Sequence, residues 1–222
     1  MDIKQKWTVA QIKVREKLNP YLAPIRRKMA GLKGGENITI ISNNCWGGHV
    51  YRYFGLSYTS PTVGMFFFTE EYIRFLKHLD HYLSLELKFI PIEQSRYSEE
   101  LKQRNHLTCP IGVLDDVEIV FLHYHSEDEA REKWNRRKKR INIDNLIVKM
   151  SEMNLCTEAF LREFDSLPYK HKFVFVHKDY GLHTQILWRE YANKGEVSND
   201  TDHFRRHINL IALVKGKQNY KK

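Results

Sequence analysis

The feature that most constrains the fold is the alternation of strand-like and helix-like segments from residue 38 onward. Apolar, β-branched runs predict strands at residues 38–41, 62–68, 88–92, 117–124, 146–150 and 172–176. Several of these runs are continuously apolar, as strands buried on both faces of a parallel sheet are. The pattern predicts an α/β fold, in which a mostly parallel sheet of about five or six strands forms a three-layer α/β/α arrangement. Residues 208–214 are expected to add a strand at one edge.

Helical spacing between the strands supports the same fold. Helices are predicted at residues 69–87, 126–140 and 158–167. Thr69 is the expected N-cap of the first helix. Ser126 and Glu129 form a capping box at the start of the second, and Pro168 stops the third.

Length and composition fit one globular domain preceded by a basic helical segment. The chain has 222 residues, of which 42% are hydrophobic, enough for a large core. We assign residues 1–34 to an amphipathic helical segment and residues 35–222 to the α/β domain. No apolar stretch reaches the roughly 20 residues of a transmembrane helix, and the N-terminus lacks the hydrophobic segment of a signal peptide. A cytoplasmic location is therefore expected.

The cysteines and the net charge narrow the chemistry. Cys45, Cys109 and Cys156 are odd in number and far apart, which argues against a disulfide framework and matches no zinc-site spacing. The formal charge of +9 favours anionic partners, such as phosphorylated metabolites, nucleotide-sugars, nucleic acid or an acidic membrane surface. The sequence names no cofactor.

Basic residues surround an apolar face in the N-terminal segment. The apolar positions at helical spacing are Ile3, Trp7, Ala10, Val14 and Leu18. Pro20 and Pro24 are expected to interrupt the helix. Such a segment could lie on an anionic membrane or pack against the domain. Packing is the commoner fate of an amphipathic helix and is the favoured alternative.

A run of basic residues at 136–140 raises the question of nucleic-acid binding. The run ends a predicted helix whose first turn is acidic, and the helix dipole favours this distribution of charge. No aromatic stacking platform or recognised nucleic-acid module accompanies it. We therefore do not expect nucleic acid as a partner.

Polar residues directly follow several predicted strands. In a parallel sheet these positions meet at one edge, where α/β proteins bind ligands. The residues concerned are Ser42, Asn43, Asn44, Cys45, His123, His125, Ser126, Ser151, Glu152, His177, Lys178 and Asp179. We expect them to line one cleft. The predicted substrate-binding residues among them are Asn43, Asn44, His125, Lys178 and Asp179.

Cys45 is a candidate nucleophile because it lies on the predicted turn between a strand and a helix. The positive helix end would lower its pKa, and Gly47 and Gly48 would free backbone amides for an oxyanion or a phosphate. The candidate bases are His123, His125 and His177, and the candidates for orienting the base are Asp179 and Glu152. Alternatively, Cys45 is a small buried core residue, and the neighbouring amides, the two glycines and His49 bind ligand.

His123 and His125 lie two residues apart on an extended segment, so both imidazoles project to the same side. They could ligate a metal, act as an acid/base pair or bind a phosphate. A metal needs a third ligand, and no local ligand motif supplies one, so no metal site is predicted. Tyr58 offers a hydroxyl for a sugar or phosphate, with a role in the turn before Pro61 as the alternative.

Several separated motifs, matching in order, point to a family. They are Ile41-Ser42-Asn43-Asn44-Cys45-Trp46-Gly47-Gly48, Tyr58-Thr59-Ser60-Pro61-Thr62-Val63-Gly64, His123-Tyr124, Lys133-Trp134 with Arg136-Arg137, Arg140-Ile141-Asn142-Ile143-Asp144-Asn145 and Glu163-Phe164-Asp165. Over roughly residues 35–215 the chain resembles an uncharacterised bacterial family whose members are commonly labelled exopolysaccharide-biosynthesis proteins. The resemblance implies a three-layer α/β fold and a setting in capsule or exopolysaccharide production. It carries over no catalytic residues.

Two functions remain open from the sequence. The first is a transferase that acts on a sugar or sugar-phosphate, with Cys45, His123 and His177 as its catalytic residues. The second is a non-catalytic carbohydrate-binding or scaffold protein that attaches to a membrane or a polysaccharide synthase through the N-terminal helix. We favour the transferase because polar residues cluster after successive strands.

Overall fold

The computed structural model describes residues 3–32, 38–201 and 204–216. Its strands are β1 (Thr39–Ser42), β2 (Lys88–Ile90), β3 (Ile111–Leu114), β4 (Val117–Val120), β5 (Leu146–Ser151), β6 (Lys172–Val176) and β7 (Gln185–Leu187). Strands β1, β5, β6 and β7 form a four-stranded parallel sheet in that order. Strands β2, β3 and β4 form a separate antiparallel sheet. The fold is therefore mixed α/β.

The parallel sheet has fewer strands than predicted, because two of the predicted strands lie in the antiparallel sheet. The predicted strands at residues 88–92 and 117–124 correspond to β2 and β4. Only Asp115 and Asp116 separate β3 from β4, and Asp115 has a positive φ of 55°. A connection of two residues can join antiparallel strands but not parallel ones. The predicted three-layer arrangement with five or six strands in one sheet is thus not confirmed.

The predicted strand at residues 62–68 is an extended link between the two sheets. Phe66 and Val120 exchange two backbone hydrogen bonds, at 2.9 and 3.0 Å. The N–H of Phe67 donates to the carbonyl of Asn43 at 3.0 Å. The link therefore connects β4 to the carboxyl end of β1.

The helices correspond largely to the predicted ones. They are α1 (Ile3–Ala30), α2 (Trp46–Phe54), α3 (Thr69–Lys77), α4 (Leu79–Ser84), α5 (Ser98–Gln103), α6 (Glu127–Lys138), α7 (Glu158–Ser166) and α8 (Leu210–Val214). The predicted helix at 69–87 is divided into α3 and α4 at His78, and its N-cap is Phe68 rather than Thr69. The side chain of Ser126 caps α6, as the capping box predicts. Helix α7 confirms the third predicted helix.

The predicted edge strand at residues 208–214 is wrong, since this segment forms the short helix α8. The side chain of Asn209 accepts hydrogen bonds from the backbone N–H groups of Ile211 and Ala212, each at 3.1 Å. A short apolar run fits a buried strand or a buried helix equally well. The cap formed by Asn209 favours the helix.

Apolar side chains of the parallel sheet alternate between its two faces, and helices cover both. Ile41 and Val148 belong to one apolar cluster together with residues of α3, α6 and α7. Their chain neighbours Ile40 and Ile147 belong to a second cluster together with residues of α2 and α8. Because both faces are buried, the ends of the strands are the part of this sheet that can meet a ligand.

Helix α1 continues through Pro20 and Pro24, where the sequence predicted an interruption. It packs against α2 and α8. Ala23 and Ala30 are buried in this contact, and Asn19 Nδ2 donates to a backbone carbonyl of α2 at 2.8 Å. The predicted packing of this helix on the domain is therefore confirmed for its second half.

Part of the N-terminal prediction falls outside the described residues. This applies to the boundary at residues 34 and 35 and to the side chains of Ile3, Trp7 and Ala10. Among the residues that the structure does describe, no helix combines the length and the apolar composition of a membrane span.

Candidate functional site

A buried ion pair lies at the carboxyl end of the parallel sheet. Lys149 of β5 is fully buried, and its Nζ donates to Oδ2 of Asp200, which is 1% exposed. The same Nζ donates to Oδ1 of Asn44 at 3.0 Å. Burial lowers the pKa of Lys149, and the Asp200 carboxylate opposes this effect. The pair ties the loop that carries Asp200 to the sheet.

The Asp200 carboxylate is saturated with hydrogen-bond donors. Asn44 Nδ2 lies 3.0 Å from each of its oxygens, and Ser151 Oγ donates to Oδ2. The loop before it is held as well, since the N–H of Val197 donates to the carbonyl of Glu152 at 2.8 Å. A buried charge is tolerated when it is paired and hydrogen-bonded in this way. We call Lys149, Asp200, Asn44 and Ser151 the ion-pair group.

Asn43 is used by the sheet itself. Its side chain donates to the carbonyl of Ser151 and accepts from the N–H of Ser151, both at 3.0 Å. Both ends of the amide therefore extend the pairing of β1 with β5 by one position. These bonds satisfy the buried Asn43 amide, so no ligand is needed to explain an asparagine at this position.

Cys45 lies directly before α2, as predicted, but its thiol is not activated. Its Sγ donates to the carbonyl of Met65 over 3.8 Å. Burial, reinforced by the Asp200 carboxylate, raises the pKa of the thiol to about 11, while Lys149 acts in the opposite direction. The expected lowering of this pKa is wrong, because loss of solvation of the thiolate outweighs the effect of the helix end. The thiol is protonated at neutral pH.

Gly47 and Gly48 allow α2 to lie close to its neighbours. A Cβ atom at Gly47 would lie 3.3 Å from Cγ2 of Ile40, and one at Gly48 would lie 3.1 Å from Cγ1 of Val63. The N–H of Gly48 donates to the carbonyl of Cys45 at 3.1 Å, so it is already used. Close packing accounts for both glycines.

A second polar group lies at the end of β6. His177 Nδ1 is 2.8 Å from Oε2 of Glu152, which also accepts from the His177 backbone N–H at 2.9 Å. The Tyr180 hydroxyl donates to Oε1 of Glu152. Burial and the neighbouring Glu152 raise the pKa of Tyr180, so its hydroxyl stays protonated at neutral pH. A carboxylate that fixes one imidazole nitrogen leaves the other for proton transfer. We call these three residues the histidine group.

His123 and His125 belong to the antiparallel part of the fold. They follow β4, which is antiparallel, and both are exposed. Their backbone N–H groups donate to Gly64 and Glu129. Within the described residues, no hydrogen bond or ion pair joins either imidazole to Cys45 or His177. That these two histidines line one cleft with the parallel strand ends stays a prediction.

The remaining predicted residues are distributed as follows. Lys178 and Asp179 follow His177 and are exposed, and hydrogen bonds from Gln185 and Gly181 lower the pKa of Asp179. His49 is half-buried within α2. Tyr58 is half-buried beneath an arginine of α6, whose guanidinium carbon lies 4.9 Å from the ring centroid. Lys178 and Asp179 share the strand end with His177.

A groove of 630 Å³ lies elsewhere, between α3, α4, α7 and the turn joining β3 to β4. Arg74, His81, Asp116 and Glu163 are among its lining residues. In the part of the chain that the structure describes, no cluster of three or more His, Cys, Asp or Glu side chains could hold a metal ion. The strand ends are the candidate site because α/β proteins bind ligands at this edge of a parallel sheet.

One residue in the sequence indicated this site, but the strand and helix patterns did not identify it. Lys149 interrupts an otherwise apolar strand, and a lysine in such a run is almost never buried without a partner. Asp200 and Tyr180 lie in segments without a regular pattern, and nothing distinguishes them from their neighbours. Their roles depend on the tertiary structure.

We expect the cysteine thiols to react slowly in the folded protein. Burial raises the pKa of Cys45 to about 11 and that of Cys156 to about 12, and also raises the pKa of Cys109. Because the thiolate is the reactive form, alkylation of Cys45 at pH 8 should be roughly 100-fold slower than that of a free cysteine. Its rate should rise about tenfold per pH unit toward pH 10. Mass spectrometry after iodoacetamide treatment measures this, with the unfolded chain as control. Rapid labelling of Cys45 at pH 7 would contradict the raised pKa.

Comparisons with known proteins place the chain in a family. Residues 25–214 match a family described as "Domain of unknown function (DUF1919)". A Haemophilus influenzae protein that bears the name "Uncharacterized protein" is 35% identical over 156 residues, which are 70% of this chain and 69% of that protein. The matched residues include all of the ion-pair group and the histidine group. Neither description mentions exopolysaccharide, so that label stays a prediction. The chain belongs to the DUF1919 family.

Proposed function

We propose that the chain is a transferase acting on a sugar or sugar-phosphate in bacterial exopolysaccharide or capsule biosynthesis. The observation that supports catalysis most is the histidine group, because it lies at the carboxyl end of a parallel strand, where α/β proteins bind ligands. The exposed Lys178 next to it suits an anionic donor such as a sugar linked through phosphate. The setting in polysaccharide production rests on the resemblance of the motifs alone.

In the proposed reaction His177 acts as a general base. Glu152 occupies Nδ1, so Nε2 takes the proton from the hydroxyl of the acceptor. As the hydroxyl oxygen bonds to the sugar carbon of the donor, the bond from that carbon to the phosphate oxygen breaks, and the phosphate leaves with the electron pair. Glu152 stabilises the imidazolium that forms, and Tyr180 holds the carboxylate in place.

Cys45 has no covalent role in this proposal. A thiol with a pKa of about 11 needs a neighbouring base before it can attack a substrate, and the Cys45 thiol donates to a backbone carbonyl, that of Met65. Asn44 and Lys149 instead stabilise the adjacent strand ends through Asp200.

The proposal includes a cytoplasmic location and peripheral attachment to the membrane or to a polysaccharide synthase.

Replacing His177 in a polymer-producing strain tests the proposal. We expect His177→Gln to reduce polymer synthesis by about 100-fold or more, because losing a general base costs about 10²–10⁴ in rate. His183→Gln is the matched control and should leave synthesis unchanged, since this exposed histidine precedes β7, at the amino end of the parallel sheet. Both variants should be present at the wild-type level and unfold at the wild-type temperature. Normal polymer production by a folded His177→Gln chain would overturn the transferase proposal.

A second candidate is a non-catalytic carbohydrate-binding or scaffold protein. The observation that favours it is the state of the ion-pair group, in which every charged atom is occupied by an internal partner. For a scaffold, the His177→Gln chain should sustain polymer production, whereas changes on the exposed side of α1 should reduce it. The same strain therefore separates the two functions.

A further inference from the structure

Helix α1 presents a stripe of large apolar side chains to solvent. The stripe consists of Val14, Leu18, Tyr21, Leu22, Ile25 and Met29, which are 38–76% exposed. On a helix of 3.6 residues per turn, all six fall within an arc of about 100°. Contiguous apolar surface of this kind marks an interaction site in a soluble domain. We call these six residues the apolar stripe.

The opposite side of α1 already has its partner in the domain. Ala23 and Ala30 are buried there, and a Cβ atom at Gly55 would lie 2.9 Å from the Cβ of Ala23. The Arg26 side chain donates to the backbone carbonyl of Tyr53 at 3.1 Å. Its guanidinium carbon lies 4.2 Å from the centroid of the Tyr53 ring. Small and polar residues thus attach the helix to the domain, and the apolar stripe faces away from it.

Four of the six residues in the apolar stripe recur at a spacing of 11 residues. Val14 and Ile25 are 11 positions apart, as are Leu18 and Met29, and Ile3 continues the first series upstream in the sequence. A repeat of 11 residues corresponds to about 3.67 residues per turn, close to the 3.6 of an α-helix. The stripe therefore runs almost straight along the helix. A straight apolar stripe suits a flat surface.

The charges of α1 indicate what kind of surface the apolar stripe contacts. The helix carries eight basic residues and one acidic residue, Glu16. At the spacing of an α-helix, the exposed Lys17 and Lys28 lie beside the apolar stripe, so their stems can follow an apolar surface while the ammonium groups stay in water. A second copy of this helix would bring like charges together. Anionic headgroups would neutralise them.

We propose that α1 lies in the surface of an anionic lipid bilayer, with the apolar stripe inserted at the level of the acyl chains. Lys17 and Lys28 then contact the headgroups, and the buried side of the helix keeps the domain attached. This inference rests on the peripheral attachment in the proposed function and specifies its partner. It does not depend on the chemistry assigned to His177.

Vesicle flotation with the purified full chain tests the inference. Binding should be roughly tenfold stronger to vesicles containing equal parts phosphatidylglycerol and phosphatidylcholine than to phosphatidylcholine alone. The double variant Leu18→Glu with Ile25→Glu should lose about tenfold or more of this binding, since it places charges in the apolar stripe. Leu107→Glu is the matched control, because Leu107 is 51% exposed but lies outside α1, and it should bind normally. Circular dichroism checks that each variant is folded.

Two results would overturn the inference. The first is no binding to anionic vesicles, and the second is undiminished binding of the folded double variant. If the wild type binds no vesicles and forms a dimer in ultracentrifugation that the double variant dissociates, a second copy is the occupant of the stripe. Each of these leaves the polymer assay of His177→Gln unaffected, so the two proposals fail separately.

Discussion

Replacing Asp200 by Asn is expected to lower the free energy of unfolding by about 3–5 kcal/mol, a large part of the stability of a domain. The change keeps the size of the side chain but leaves the ammonium of Lys149 fully buried without a counter-ion. In the wild type, Asn44 Nδ2 donates to both carboxylate oxygens of Asp200, each at 3.0 Å. In the variant, the NH₂ group of the new side chain replaces one of these acceptors with a donor. Urea unfolding followed by tryptophan fluorescence measures the loss.

Two further variants separate charge from burial. Asp128→Asn removes a carboxylate whose side chain is 94% exposed and should change stability by no more than about 1 kcal/mol. Lys149→Met combined with Asp200→Leu should recover part of the loss, because no unpaired charge remains in the interior. The recovery is incomplete because Asn44 Nδ2 and Ser151 Oγ lose their acceptor. An Asp200→Asn chain that unfolds at the same urea concentration as the wild type would show that the ion pair does not hold the loop.

The ion-pair group and the histidine group meet at consecutive residues. Ser151 bonds to Asp200, and the next residue, Glu152, bonds to His177. A change at Asp200 can therefore displace the proposed base through the backbone, whereas His177→Gln leaves the ion pair intact. For this reason lost polymer production in an Asp200 variant reports on folding, and the histidine variant alone tests the chemistry.

Much of the parallel sheet could be predicted because local patterns identify its elements. β1, β5 and β6 coincide with the apolar runs at residues 38–41, 146–150 and 172–176. Which strands pair could not be predicted in the same way. The run that forms β4 is as apolar as its parallel counterparts, and it pairs back onto β3 because only Asp115 and Asp116 join the two.

Residues that follow parallel strands meet at one edge of the sheet, and this rule predicted part of the candidate site. Glu152 and His177 follow neighbouring parallel strands, and their side chains meet. His123 and His125 follow β4, to which the rule does not apply, since β4 is antiparallel. Asp200 reaches the site from a loop. Only the tertiary structure places it beside its partner.

A second large loss of stability is expected at Glu71, which joins α3 to the antiparallel sheet. Its carboxylate is fully buried and accepts hydrogen bonds from the N–H of Glu118, the hydroxyl of Tyr97 and the guanidinium of Arg96, each at 2.8 Å. Burial raises the pKa of Glu71, and these donors oppose that effect. The variant Glu71→Ala would leave the N–H of Glu118 and the hydroxyl of Tyr97 without an acceptor.

We expect Glu71→Ala to lower the free energy of unfolding by about 2–4 kcal/mol, because each buried donor left unpaired costs about 1–3 kcal/mol. Glu70→Ala is the matched control at the neighbouring position. Glu70 is 54% exposed and pairs with Arg74 at 2.7 Å on the surface, so its loss should cost no more than about 1 kcal/mol. Urea unfolding compares the two variants, and hydrogen exchange in β4 should accelerate for Glu71→Ala alone, since the lost contact ends on that strand. Equal unfolding midpoints for both variants would show that Glu71 does not hold α3 on the sheet.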